Sequence, residues 1–330
     1  MTVATGQDEA VAELRAADKL LLTTHENPDG DALGSLLAMH WIIEQLGKDS
    51  LMFMSPDEFP LPWEYRGWTF DGIVGAPPAD VVERTIVFLD CGNIDRMPVD
   101  FLQEEGLNIL NIDHHHDNTR FGTVNLVVPD ASCTAEIVLR LAKDLGAEIT
   151  LPIADALYTG LVTDTGKFMY ENTSSEAHRM AAELIEIGVE PHQVHRRLYE
   201  DLPFRRLLLL QRALASVERH DEGVLTVAHL VKEDYAATGG QEQDSEGVVD
   251  HMRAVEGTAV AVLVRELLAD DRQGLRKVSL RATDGRVDVS RVAREFGGGG
   301  HPQAAGFSTA LPYDELVEKL RDLVRAQLRF

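Results

Sequence analysis

Short apolar runs alternate with amphipathic segments along the first half of the chain. Continuous apolar runs at 20–24, 51–54, 85–89 and 107–112 predict strands, and the last two have the composition of strands covered on both faces of a parallel sheet. Between and after these runs, apolar residues recur with the spacing of amphipathic helices. Helices are therefore predicted at 1–18, 34–46, 134–145, 153–162, 174–187 and 192–199. The alternation predicts an α/β fold with helices on both faces of the sheet.

The pattern changes after a long helical segment at 203–219. Strands are then predicted at 224–231, 259–267 and 277–282, with helices at 247–252, 289–296 and 313–327. We therefore predict an N-terminal parallel-sheet domain at 1–187, connecting helices that act as a hinge at 188–222, and a smaller α/β domain at 223–330. A cleft between the two domains is part of this prediction.

Composition and charge favour a soluble protein that does not bind long DNA. The chain has 330 residues, 44% of them hydrophobic and 26% charged, as expected for a soluble globular protein. Its 55 acidic and 31 basic residues give a net charge of -24, which repels long duplex DNA. Cys91 and Cys133 suit neither a zinc knuckle nor a disulfide framework. With no signal-peptide pattern and no long apolar run, we expect a cytoplasmic protein that avoids membranes.

The first candidate site is the turn at 23–35, between a predicted strand and a helix. His25, Asp29 and Asp31 fall together there, and a sharp turn of this kind can direct an imidazole and two carboxylates to one point. Gly34 and Ser35 leave room for an anion near a helix N-terminus. The alternative is a polar turn in which an aspartate only caps the helix.

Further acids and imidazoles follow other predicted elements. Asp90 ends one strand, and Asp113 ends the next and precedes His114, His115 and His116. Ligands bind beyond the carboxyl ends of strands in open parallel sheets, so these residues are expected at one edge, joined by Asp164 from a helix end. A solvated histidine run is the alternative for 114–116, and Cys91 is interpreted as a small buried residue.

Carboxylates gathered in one place cannot all stay ionised without compensating cations. Two divalent ions would offset them, and mixed Asp and His ligands suit manganese, iron, cobalt or zinc better than calcium. Such ion pairs are a known device for phosphoester hydrolysis. A second constellation, FGGGGHPQAAG at 296–306, combines four glycines with His301, and Arg281 is a candidate partner for phosphate. A flexible glycine loop is the alternative interpretation.

These motifs together resemble the DHH phosphoesterase superfamily, whose pattern is HxxxDxD, an isolated strand-end Asp, Asp-His-His and a further Asp. The stretch at 287–307 resembles the DHH-associated domain that holds the substrate, and the layout is most similar to the nanoRNase/pAp-phosphatase subfamily, related to RecJ. The resemblance implies that Asp90 bridges two ions, that Asp113 orients an imidazole and that His115 contacts phosphate or acts as a general acid. It implies these ligand sets: His25, Asp29 and Asp90 for one ion; Asp31, Asp90, His114 and Asp164 for the other; Asn118, Arg281, Gly299, Gly300 and His301 for the substrate.

The resemblance also implies a function. A phosphoesterase with two divalent ions, usually manganese, would hydrolyse short oligonucleotides, linear dinucleotides or 3′-phosphoadenosine 5′-phosphate (pAp) through a metal-bridged hydroxide. The alternatives are a cyclic-dinucleotide phosphodiesterase and a non-catalytic nucleotide-binding regulator. The glycine–histidine loop disfavours an inorganic pyrophosphatase, and the acidic charge disfavours a processive exonuclease. Monomer and homodimer both remain open.

Overall fold

The computed structural model describes residues 6–65, 67–97, 99–200, 202–269 and 272–328. The chain forms two compact units, residues 1–200 and residues 201–330. The division falls inside the segment at 188–222, whose action as a hinge stays a prediction.

The first unit is built on a six-stranded sheet in the order β3-β2-β1-β4-β5-β6, and every neighbouring pair in it is parallel. Strand order reverses beside β1, because β2 lies on one side of it and β4 on the other. The strands are β1 Lys19–Thr23, β2 Asp49–Phe53, β3 Ile73–Val74, β4 Thr85–Leu89, β5 Ile109–Asp113 and β6 Val124–Val127.

The two faces of this sheet are covered differently. The larger core contains buried residues of the helices together with Leu20, Leu22, Val87 and Leu89 of the strands. The opposite face buries Leu21, Ile86 and Phe88 with residues from single 3-10 turns and loops. Side chains thus point inward on both sides of β1 and β4, which explains their continuous apolar sequences. The α-helices are α1 Gln7–Ala16, α2 Gly30–Gln45, α3 Thr134–Leu145, α4 Leu151–Asp164, α5 Ser175–Ile187 and α6 Pro191–Tyr199.

The second unit has a mixed sheet in the order β11-β12-β10-β9-β8-β7, in which only the β8–β9 pair is parallel. Two apolar clusters cover its two faces. The strands are β7 Glu218–His220, β8 Leu225–Leu230, β9 Val260–Glu266, β10 Arg276–Ala282, β11 Gly299–His301 and β12 Ala304–Thr309. The helices are α7 Phe204–Ala215, α8 Lys232–Thr238, α9 Val248–Arg253, α10 Val289–Arg294 and α11 Tyr313–Leu328.

The α/β class is confirmed, and the strand at Thr85–Leu89 and the helix at Thr134–Leu145 form with the predicted bounds. The start of α2 was predicted wrongly, because the helix begins at Gly30 and not at residue 34. Gly34 therefore lies inside a buried helix against the Ala156 carbonyl, which corrects the prediction that it leaves room for an anion. Short β6, β7, α8, β11 and β12 were missed, since few residues carry their patterns. The helix predicted at 203–219 ends earlier, at Ala215, and β7 begins at Glu218.

No helix in the described part of the chain combines the length and the apolar character that a membrane crossing requires.

Candidate metal centre

The candidate metal ligands lie at the carboxyl end of the parallel sheet, where the strand order reverses. The turn that carries His25, Asp29 and Asp31 follows β1, Asp90 follows β4, and His114 follows β5. Loops that leave β1 and β4 diverge at such a reversal and open a crevice between them, which is where open α/β sheets bind ligands. The fold thus brings residues that are far apart in sequence to one edge.

His25 and Asp29 are both oriented by the backbone. Nδ1 of His25 donates to the Glu26 carbonyl at 2.7 Å, which leaves Nε2 with a lone pair, 3.6 Å from Oδ2 of Asp90. Oδ1 of Asp29 accepts from the backbone N–H groups of Asp31 and Ala32 and so caps α2. Asp29 therefore does cap the helix, as the alternative interpretation of this turn predicted. Only its Oδ1 is used for capping, so Oδ2 can bind a cation.

His114 and Asp164 complete the opposite side of the centre. Nδ1 of His114 lies 3.3 Å from the Ala131 carbonyl, so its Nε2 faces Oδ1 of Asp90 at 3.7 Å and Oδ2 of Asp164 at 3.6 Å. Asp164 is the last residue of α4, and buried Asp31 lies in the first turn of α2. Outward-facing Nε2 atoms fixed by a backbone contact at Nδ1 are the usual arrangement of metal-binding histidines.

Three groups of ligand atoms each lie within 4.8 Å of one another: His25, Asp29 and Asp90; Asp31, His114 and Asp164; Asp90, His114 and His115. Asp90 belongs to two of the groups and contacts His114 of the third, so its carboxylate lies between two ligand sets. Carboxylate oxygens and imidazole nitrogens suit manganese, iron, cobalt or zinc. The residues present therefore fit divalent cations, with Asp90 shared.

The charges of the cluster lead to the same conclusion. Burial, together with the charges of Asp90 and Asp164, raises the pKa of Asp31 well above its usual value. Burial also raises the pKa of Asp164 to about 7. Burial alone would lower the pKa of His114, but Asp164, Asp90 and Asp31 outweigh it and raise the pKa to about 9. The carboxylates thus disfavour one another's ionisation here, and divalent cations would offset their charges.

The pKa of Asp90 shifts in the opposite direction from those of Asp31 and Asp164. Burial disfavours its anion, yet the contact with His25 and the charges of His115 and His114 hold its pKa below the usual range. Its φ of 58° is in the left-handed region, which is uncommon outside glycine, although aspartate adopts it more often than most residues.

The N-terminus of α3 supports two of the carboxylates, which the sequence did not reveal. The N–H groups of Thr134 and Ala135 donate to the oxygens of Asp31 at 2.6 and 2.9 Å. The Thr134 hydroxyl donates to Oδ1 of Asp90 at 3.0 Å. Both acids are therefore held by the positive end of one helix. The polar run before this helix was the available signal.

Asn172 is a second supporting residue that was missed. Its Nδ2 donates to Oδ2 of Asp164 at 3.0 Å and to the Ser132 carbonyl at 2.9 Å. It therefore ties the end of α4 to the segment before α3. No local pattern marks Asn172, because only tertiary contacts bring it to Asp164.

His115 forms a separate pair with Asp113. Nδ1 of His115 donates to Oδ1 of Asp113 at 2.7 Å, which directs Nε2 away from the buried strand. Hydrogen bonding from His115 lowers the pKa of Asp113, although burial opposes this shift. Nδ2 of Asn118 donates to Oδ2 of Asp113 at 2.6 Å and to Oδ1 of Asn111 at 2.7 Å, so its predicted place at the phosphate stays a prediction.

The predicted substrate residues of the second unit lie side by side on its sheet. Arg281 of β10 is in register with Ala304 of β12, and Ala304 is in register with His301 of β11. Residues in register point to the same face, so Arg281 and His301 share one face, two strands apart. Gly299 and Gly300 form an edge strand with His301, so these residues do not form the flexible glycine loop of the alternative interpretation.

Comparison with known proteins agrees with this geometry. The DHH family, N-terminal domain, matches residues 19–161, and the DHHA1 domain matches residues 226–329. The bifunctional oligoribonuclease and PAP phosphatase NrnA of Thermus thermophilus is 36% identical over 317 residues, which cover 94% of this chain and 90% of that protein.

Solved structures show the same fold. An exopolyphosphatase-related protein from Bacteroides fragilis has a TM-score of 0.84 at 25% identity and covers 98% of this chain and 96% of its own. RecJ of Thermus thermophilus in complex with Mn2+ has a TM-score of 0.56 at 18% identity. The match covers 99% of this chain and 55% of the RecJ chain. The chain therefore belongs to the DHH family, in the nanoRNase and pAp-phosphatase subfamily that carries a C-terminal DHHA1 domain.

Proposed function

We propose that this protein is a phosphoesterase with two divalent ions that hydrolyses short oligonucleotides, linear dinucleotides and pAp. The sharing of Asp90 between two ligand sets at the carboxyl edge of the sheet carries the proposal. His25, Asp29 and Asp90 would hold one ion, and Asp31, Asp90, His114 and Asp164 would hold the other. Manganese is the proposed ion, since the ligands are carboxylates and imidazoles.

When bound, the two ions would neutralise the carboxylates and supply Lewis acidity toward water and phosphate oxygens. The chain's own residues then orient the substrate and move the proton. Asp113 holds Nδ1–H of His115, so Nε2 is the atom that would face a phosphate. In the doubly protonated imidazolium, Nε2 also carries a proton, which it could give to the leaving oxygen. Thr134 keeps the Asp90 carboxylate in one orientation.

Recognition of the rest of the substrate is proposed for the second unit. Arg281 and His301 share a face of its sheet and can both donate to phosphate or base oxygens. Gly299 has no atom within 4 Å of the place where a Cβ would be, so the fold of the described chain does not require a glycine there. Close approach of a ligand to the strand edge would explain it.

A panel of substrates with manganese and with a chelator tests the proposal. We expect manganese-dependent turnover of pAp and a linear diadenylate, and slower turnover of a cyclic dinucleotide, a longer RNA and pyrophosphate. Faster turnover of the cyclic dinucleotide would contradict the proposed substrate class and indicate a cyclic-dinucleotide phosphodiesterase. Nucleotide binding without turnover of any compound would indicate a regulator.

The substitution D90N tests the shared ligand. Turnover should fall by more than about 100-fold, because loss of groups that only orient ligands already costs 10- to 100-fold. D95N changes an exposed aspartate of the same loop and should leave turnover unchanged. Near-normal activity of D90N, with the fold verified by circular dichroism, would contradict the shared role.

A further inference from the structure

Arg96 places a cation at the rim of the metal centre, outside the motifs described above. It ends a single 3-10 turn, Ile94–Arg96, in the segment that leaves β4 after Asp90. Its carbonyl accepts from the backbone N–H of Glu26 at 2.7 Å. The backbone of Arg96 is therefore anchored to the loop that carries His25 and Asp29.

The guanidinium of Arg96 extends toward His115. Its Nη1 lies 3.5 Å from Nε2 of His115, and Nδ1 of the same imidazole lies 3.6 Å from Oδ1 of Asp90. Two contacts thus separate the guanidinium from the shared carboxylate. Nε2 of His115 is also the atom proposed to face the phosphate, so Arg96 stands beside the reacting group.

The charge of Arg96 is not balanced by a carboxylate of the described residues. Arg84, Arg179 and Arg197 of this unit differ, since each pairs with an Asp or Glu within 4.0 Å. Arg15 and Arg120 have no such pair among the described residues, but both are exposed, whereas Arg96 is half-buried. Acidic partners are abundant in a chain with a net charge of -24. A half-buried guanidinium without one, beside a cluster of metal ligands, points to an anion that comes from outside the protein.

We propose that Arg96 binds nonbridging oxygens of the substrate phosphate beside His115, an inference that rests on the proposed phosphoesterase function. A guanidinium has five N–H donors in a planar fork that matches two phosphate oxygens. One long contact to His115 leaves donors for such a pair. Arg96 is then a substrate-binding residue of the first unit, separate from Arg281 and His301 of the second.

Binding of inorganic phosphate to the manganese-loaded protein, followed by isothermal titration calorimetry, tests the contact without turnover. R96M should weaken phosphate binding by about 10- to 100-fold, the range of a charged hydrogen bond, and R96K should weaken it less. R179M removes an exposed arginine paired with Glu176 and should bind phosphate like the wild type. Equal affinity in R96M and wild type, or no phosphate binding by wild type, would overturn the proposal.

A second experiment distinguishes direct contact from positioning of His115. In an H115A background, R96M should still weaken phosphate binding about as much as it does alone. Loss of the effect in that background would mean that Arg96 acts only through the imidazole, which contradicts direct contact. Should R96M fail to fold by circular dichroism, R96K and R96Q provide the comparison.

Turnover separates this proposal from the proposed function. R96M should lower kcat/KM for pAp and for a linear diadenylate by about 10- to 100-fold. Wild-type turnover with an unchanged R96M would refute the role of Arg96 alone. Absence of wild-type turnover, with phosphate binding that still depends on Arg96, would refute the proposed function alone.

Discussion

At the residue scale, polar side chains of the centre combine structural and chemical roles. One oxygen of Asp29 caps α2, and both oxygens of Asp31 accept N–H groups of α3. These hydrogen bonds offset part of the cost of burying acids and fix where their remaining lone pairs point. A carboxylate held this way loses little freedom when a cation binds, so the centre is largely preorganised.

Away from the candidate metal centre, the ion pair of Glu246 and Arg265 should make stability depend on pH. Nη1 of buried Arg265 donates to the half-exposed Glu246 carboxylate at 2.9 Å. Partial burial opposes ionisation of Glu246, but the charge of Arg265 lowers its pKa to about 2. The pair therefore stabilises the fold fully above the ordinary glutamate pKa of about 4.5, and this contribution is lost as pH falls toward 2.

We expect E246Q to lower the free energy of unfolding by about 1 kcal/mol at pH 7, since the carboxylate is half exposed and screened by solvent. The difference from wild type should shrink between pH 4.5 and 3 in urea unfolding. E256Q, at an exposed glutamate of the same unit, serves as the control. A difference that stays constant with pH would show that the charge of Glu246 does not contribute.

At the element scale, close packing of α2 on α4 positions Asp31. A Cβ on Gly160 of α4 would lie 2.8 Å from Oδ1 of Asp31 and 2.9 Å from Cβ of Ala135. Gly30 and Gly34 of α2 face α4 in the same way, against Thr163 and Ala156. Glycines at this interface therefore let two helices and the start of α3 meet at the metal centre.

G160A should destabilise the protein although alanine favours helices. The higher helix propensity of alanine should raise the free energy of unfolding by about 1 kcal/mol. Forcing a methyl group into a packed site should lower it by about 1–3 kcal/mol. Displacement of Asp31 should also weaken manganese binding about 10-fold, as changes next to metal ligands do. Calorimetric titration of manganese and urea unfolding measure both effects.

A182G, on the exposed side of α5, calibrates the helix preference alone and should leave manganese binding unchanged. Unchanged manganese binding in G160A as well would mean that Asp31 tolerates the displacement.

For the edge strand β11 we expect a substitution to reduce activity without reducing stability, unlike G160A. A side chain at Gly299 would meet no atom within 4 Å, as at Gly285 in a loop of the same unit. G299A should unfold within about 1 kcal/mol of wild type, as surface substitutions usually do, but kcat/KM for pAp should fall about 10-fold or more. G285A should change neither quantity. Wild-type activity in G299A would remove Gly299 from the substrate site.

At the scale of the whole molecule, charge favours small substrates. The net charge of -24 is spread over 330 residues, so a long polyanion meets repulsion well beyond the centre. A dinucleotide or pAp carries few phosphates and would meet only the local field, where the proposed cations and Arg96 would offset the acids. We therefore expect charge to disfavour long substrates, without any contact that reads substrate length.

Substrate length and salt test this selection. The value of kcat/KM should fall from a dinucleotide to a 24-nucleotide RNA, and the gap should narrow as ionic strength rises from about 0.01 M to 0.15 M, where the Debye length falls from about 30 to about 8 Å. Hydrolysis of pAp at the same salt concentrations is the control for direct salt effects. A gap that does not respond to salt would assign the length preference to sterics.

Much of the fold and most of the centre could be predicted from the sequence, because long periodic segments and strand-end acids are local signals. The helix at Thr134–Leu145 carries a full apolar stripe, and Asp90 directly follows a strand of five apolar or β-branched residues. Thr134, Asn172 and Arg96 could not be placed this way. Their contacts join segments 19 to 44 residues apart, or depend on a loop whose path the sequence does not specify.

The sequence by itself determined the elements and the chemical types, since hydrophobic period and residue identity are properties of the chain. It supplied the acids and imidazoles at strand ends, and the order of strands and helices that defines the α/β class. Tertiary structure alone decided that β1 and β4 adjoin, that glycines let α2 meet α4, and that Asp90 lies between two groups of candidate ligands. Distances between side chains depend on packing between elements, and the sequence of each element specifies only its own conformation.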